Sequence, residues 1–111
     1  MTRCKLVAFT RPLPGREADF NEWYQNVHLP QVVETFKMHG AQRYKLVAKM
    51  SGADENDYMA LYDVDCDDPH ALVAAIGKLA QSGEMRMTDS IDPGTAYTAL
   101  FEECGEPLVG G

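Results

Sequence analysis

The sequence lacks paired cysteines, a basic excess and any long apolar run, and each absence removes a class of function. Its three cysteines, Cys4, Cys66 and Cys104, are odd in number and show no C-x-x-C spacing, which argues against both a disulfide framework and a zinc site. Free, mostly buried thiols are expected. Seventeen acidic residues stand against ten basic ones, a formal charge of −7, so the protein's field opposes the phosphate attraction that dominates nucleic-acid affinity. Neither a nucleic-acid nor a membrane partner is expected, because no segment is apolar for long enough to span a bilayer. The opening Met1-Thr2-Arg3-Cys4-Lys5 has no apolar run leading to a small-residue cleavage site, and a cytoplasmic location follows by default. No metal is expected either. The three histidines lie far apart, and the acidic run Asp63 to Asp68 carries Asp68 where a calcium loop needs glycine and Ala74 where it needs a bidentate glutamate.

What is present is ordinary globular material in one domain. With 111 residues, 45% of them hydrophobic, the chain can build a core but not a core and a large enclosed pocket in one monomer. Residues 1–104 read as a single α+β unit and 105–111 as a loosely held C-terminal tail. Cys4–Thr10 is a short apolar strand stopped by Arg11-Pro12-Leu13-Pro14-Gly15. Helical spacing of Phe20, Trp23, Tyr24 and Val27 follows, to a break at Leu29-Pro30, with Gln31–Phe36 as a short second piece. Strand two is expected over Ala41–Met50 and strand three over Tyr58–Val64, joined by a small polar connection. Arg43, Lys45 and Lys49 alternate along one strand face that could hold an anionic small ligand but reads first as a solvated edge-strand face. Asp68-Pro69 caps a second helix whose stripe of Leu72, Val73, Ile76, Leu79 and Ala80 ends near Ser82-Gly83, and Ala96–Glu102 is a last strand. The order is βαββαβ. Right-handed crossovers then set both helices on one face of a four-stranded antiparallel sheet, a ferredoxin-like arrangement. Because strands one, three and four carry apolar residues at both parities, the other face should meet a second sheet, and a homodimer is the economical solution.

The densest chemistry lies in Phe20-Asn21-Glu22-Trp23-Tyr24-Gln25-Asn26-Val27-His28-Leu29-Pro30. Tyr24 and His28 are one turn apart on a helix and share a face. Pro30 disfavours helical geometry at Leu29, so His28 is expected near a helix C-terminus, where free carbonyls favour its protonated form. Histidine titrates near neutrality and a tyrosine hydroxyl can hold or polarise a carbonyl or enol oxygen, a pairing suited to proton transfer on a small carbonyl compound. The competing structural reading packs Tyr24 in the core and gives His28 a capping bond. Trp23 and Phe20 serve as apolar walls of a pocket or as plain packing, and Asn21 as a ligand contact or a solvated helix residue. His39 reads as a turn or cap, His70 as exposed, and Cys66 as a structural thiol.

The element order together with Phe20-Asn21-Glu22-Trp23-Tyr24 and His28-Leu29-Pro30 resembles the dimeric α+β barrel superfamily, and most nearly its EthD-like members. That resemblance implies a site between helix one and the sheet of each subunit, with His28 matching the helix-one histidine some relatives use for acid–base work. It also implies cofactor-free chemistry of the isomerase, cyclase or monooxygenase kind on a small aromatic, lactone or polyketide-like substrate. The alternative is a non-catalytic ligand-binding or stress-response barrel in which the same pocket only sequesters an apolar compound.

Overall fold

Alternation along the strands decides which side of the sheet becomes the core. In the computed structural model, which describes residues 1–111, β1 (Thr2–Thr10), β2 (Gly40–Lys45), β3 (Tyr58–Cys66) and β4 (Tyr97–Glu102) form one sheet. Its order is β2-β3-β1-β4, and every pairing is antiparallel. Cys4, Leu6, Ala8 and Thr10 of β1 and Tyr58, Ala60, Tyr62 and Val64 of β3 are buried at a period of two that turns them to one face, with Val7 the one buried residue of the opposite parity. Arg3, Lys5, Asp63 and Asp65 sit at the opposite parity, and Lys5 and Asp63, directly paired in register, form an ion pair there. Those charges determine which parity turns outward at this end of the strands, since a charge without a partner is costly inside. The fold is the ferredoxin-like α+β arrangement that the element order implies.

On the covered face lie α1 (Glu17–Trp23), a π-helical turn (Tyr24–His28), α2 (Leu29–Thr35) and α3 (Pro69–Ser82). Phe20, Tyr24, Leu29 and Val32 carry the first three segments into the core beside Met38 and the buried strand residues. Helix α3 is formed as its local sequence dictates. The Asp68 carboxylate accepts the N–H groups of His70 and Ala71 at 3.1 and 3.3 Å, Pro69 occupies the first turn, and Gly83 ends the helix at φ 81°, a left-handed conformation that glycine adopts without a Cβ clash.

Several local expectations are corrected. Pro30 does not break the helix: the backbone stays helical through His28 and Leu29, and the N–H of Leu29 donates to the carbonyl of Tyr24, one residue further back than in an α-helix. Proline lacks an N–H and its ring crowds the carbonyl four residues back, and one widened turn ahead of it accommodates both defects. Strand two ends at Lys45 rather than Met50. Beyond the bond from Leu46 N–H to the Asp57 carbonyl, Asp57 donates to the Thr10 carbonyl and Asn56 to that of Thr95, so Val47 to Met50 have no ladder partner. Cys104 is exposed, whereas Cys4 is buried and Cys66 half-buried, with their sulfurs 3.7 Å apart. Gly105–Gly111 is exposed and belongs to no element. No helix is long and apolar enough to cross a membrane.

Candidate functional site

The π-turn sets the geometry of the aromatic cluster. In an α-helix Trp23 and His28 would diverge; in the widened turn residues five apart come into line, and the two rings stack with centroids 4.5 Å apart and planes at 19°. Tyr24 meets the same imidazole edge-on at 5.1 Å and 83°. His28 is thus held between both rings, a constraint that fixes its orientation without a hydrogen bond. Single π-turns inside helices recur at functional sites because they re-aim side chains in this way.

These three residues form one wall of a cavity of about 320 Å³, within the usual range for small-molecule sites. Leu6, Ala8 and Thr10 of β1, Tyr62 of β3 and Thr98 of β4 form the floor, Val32 and Phe36 extend the helical wall, and Ile76, Gly77 and Ala80 of α3 face it. Met85, Met87, Ile91 and Ala96, from the segment between α3 and β4, border the remaining side. That segment is fastened back onto the helical arm. The Trp23 indole N–H donates to the Arg86 carbonyl at 2.9 Å, and the Gln31 amide donates to the Glu84 carbonyl and accepts the Arg86 N–H, both at 2.9 Å. Further along it, Asp92 pairs with Arg11 at 2.9 Å. Its carboxyl is held below the usual range by the Gly94 N–H and by Arg11.

No Asp, Glu, Lys or Arg lines the cavity, although Arg43 acts on Tyr24 and Tyr62 from behind the wall. Burial holds the His28 imidazole well below the usual histidine range, at about 4, so it is neutral at physiological pH. This reverses the expectation of a charge-favouring helix end, because the helix continues past His28 and the imidazole is buried within it. Nδ1 of His28 and the hydroxyl of Tyr62 are both buried without a hydrogen-bond partner. Burial also pushes the Tyr24 hydroxyl upward, while Tyr62 and Arg43 draw it back. Burial, with Tyr24 as close neighbour, raises the Tyr62 hydroxyl strongly.

Of the residues singled out in the sequence, Tyr24, His28 and Trp23 meet at the cavity, and Phe20 and Asn21 do not line it. Phe20 is fully buried against the rings of Tyr24 and Tyr58, at 5.5 and 5.1 Å. Asn21 works beneath the site: its amide donates to the Glu17 carbonyl and the Tyr58 hydroxyl, at 3.0 and 3.1 Å, and its carbonyl accepts from Arg43 at 2.7 Å. Arg43 is no solvated edge residue. Its guanidinium lies 4.8 Å from the Tyr24 ring centroid, 5.4 Å from that of Tyr58 and 5.7 Å from that of Phe20, a cation held against aromatic faces. His39 pairs with Asp65 at 2.9 Å at the start of β2, and His70 is exposed in the first turn of α3. Tyr62 is the site residue that periodicity alone does not single out, because both parities of β3 begin apolar; Asp63 and Asp65 at the opposite parity are the signal that turns it inward.

The βαββαβ sheet, with a cavity between the first helical arm and the strands, has an EthD-like α+β fold. In keeping with this, the chain is similar in structure to a crystal structure of an ethyl tert-butyl ether D (EthD) family protein from Bacillus halodurans. The TM-score is 0.62 at 22% identity, over 94% of this chain and 100% of that one. No protein-family model matches the sequence, and no curated protein matches it.

Proposed function

We propose that this chain is a cytoplasmic, homodimeric barrel protein that performs cofactor-free acid–base chemistry on a small apolar molecule in each subunit's cavity. His28 takes the proton, Tyr24 orients or polarises the reacting oxygen, and Trp23 supplies an apolar wall; Phe20 and Asn21 support that wall from behind. One observation carries the reading: an imidazole with a buried, unpartnered nitrogen is gripped by two rings at the edge of a cavity otherwise apolar. A histidine with a purely structural role would spend that nitrogen on a backbone group.

Proton transfer is tested by deuterium exchange at the acidic C–H of a neutral cyclic ketone such as 2-tetralone. Wild-type protein should accelerate exchange, and His28→Ala should remove about 100-fold or more of the acceleration, the usual contribution of a positioned base. Full exchange in His28→Ala would remove His28 from the chemistry. The second reading, sequestration without turnover, draws on the low value of about 4 for His28, since a general base works best near the operating pH. Binding of lactones, quinones and phenols with no exchange in any would favour it.

The dimer rests on the uncovered sheet face. Register puts Val7, Phe9, Tyr44, Met59, Leu61, Tyr97, Ala99 and Phe101 together there, and Tyr44, Tyr97 and Phe101 remain about half exposed, at 46, 50 and 51%. A contiguous apolar face of that extent calls for a partner. Sedimentation should give a dimer that Phe101→Lys dissociates; a wild-type monomer at micromolar concentration would contradict it.

A further inference from the structure

A ligand that enters the cavity leaves its water behind, and the walls determine what it receives in return. A carboxylate, phosphate or ammonium group would find no opposite charge there, because no Asp, Glu, Lys or Arg lines the space, and a desolvated charge without a partner is strongly disfavoured. An entirely apolar ligand would leave two polar atoms as they stand, buried and unpartnered: the Tyr62 hydroxyl on the sheet floor and Nδ1 of His28 on the helical wall. Tyr62 is 1% exposed; the adjacent Tyr24 hydroxyl is close enough to shift its titration, yet the geometry between them forms no regular hydrogen bond. A phenol hydroxyl in that position can turn its proton from Tyr24 to a ligand oxygen, and a neutral imidazole offers one donor and one acceptor nitrogen.

We infer that the cavity takes an uncharged, mainly apolar molecule bearing one phenol, enol or ketone oxygen, and that the Tyr62 hydroxyl anchors this oxygen by donating a hydrogen bond to it. The inference rests on the cavity being a ligand site and adds its substrate class and a specificity residue. The oxygen end sits between Tyr62 and His28; the apolar body runs toward Ile76, Met85 and Met87, whose side chains have no polar group of comparable strength to offer. Excluding charged molecules is then a property of the whole lining, whereas preferring an oxygen over a bare hydrocarbon is the work of Tyr62.

A matched trio separates these terms: 4-propylphenol, propylbenzene and 4-propylbenzoate, titrated by calorimetry at pH 7. The indole resonance of Trp23, the single tryptophan, reports that the cavity is the place occupied. The phenol should bind about tenfold more tightly than the hydrocarbon, the worth of one net hydrogen bond, and at least about fiftyfold more tightly than the benzoate. Tyr62→Phe removes only an unpartnered oxygen, so it should fold normally, bind the phenol no better than the hydrocarbon, and keep the hydrocarbon's affinity. Benzoate bound as tightly as the phenol, or a phenol preference that survives Tyr62→Phe, would overturn the inference while the cavity stays a ligand site. If none of the three moves the Trp23 resonance, the ligand-site reading itself falls, and this inference with it.

Discussion

The two helical arms on the covered face of this sheet are built on opposite principles. Helix α3 is locally well specified, with a carboxylate N-cap at Asp68, proline in the first turn and a left-handed glycine at its end, yet none of its residues is fully buried. The arm from Glu17 to Thr35 has no side-chain cap on any of its three segments and a proline in its interior, and still it delivers Phe20, Tyr24, Leu29 and Val32 to the core. One helix is well specified by local signals and leaves room beneath it; the other lacks them, is held by tertiary packing and tolerates a distorted turn. The cavity lies between the two, and the Tyr24–His28 pair sits on the distorted arm, where burial rather than local preference holds the backbone in place.

That contrast is open to direct measurement. Phe20→Ala should destabilise the protein by about 3–5 kcal/mol in chemical denaturation, as for other large buried aromatics, while Val73→Ala on α3, 51% exposed, should fall within about 0.5 kcal/mol. Equal costs at the two sites would erase the distinction between the arms. Asp68→Ala sharpens the other half of it: loss of this cap should cost about 1 kcal/mol. Because α3 roofs the cavity, the substitution should also weaken binding of an apolar probe without changing its response to pH. A cap variant of wild-type stability would mean that α3, too, is held by packing.

The same contrast explains how much of the molecule was legible in the sequence. The element order and the boundaries of α3 follow from caps, turns and periodicity, all of which are local signals. The meeting of Tyr24 with His28 was legible from their spacing. Its geometry was not, because a proline reads as a helix end, and whether the chain stops or inserts a wide turn depends on whether Leu29 and Val32 find a core to enter. For the same reason the charge state of His28 reads in reverse: a helix end favours the cation, a buried helix interior excludes it. Arg43 reads as solvated in the sequence because its partners, the faces of three aromatic rings from α1, the π-turn and β3, come together only in the folded chain. Tyr62 was hidden by the apolar start of both parities of β3.

The central claim is that His28 is a neutral, unpartnered imidazole inside the folded protein, and an NMR titration of its ring resonances, assigned by their loss in His28→Gln, tests it most directly. The midpoint should lie near 4. The unfolded chain, with the ordinary histidine value of about 6.5, then binds the extra proton first. Stability should therefore be fully present above pH 6.5 and fall as the pH drops toward 4, by on the order of 3 kcal/mol from this residue, and that loss should be absent from His28→Gln. A midpoint at or above 6.5, with no such difference between wild type and variant, would place the imidazole in water or against a partner and would contradict the account.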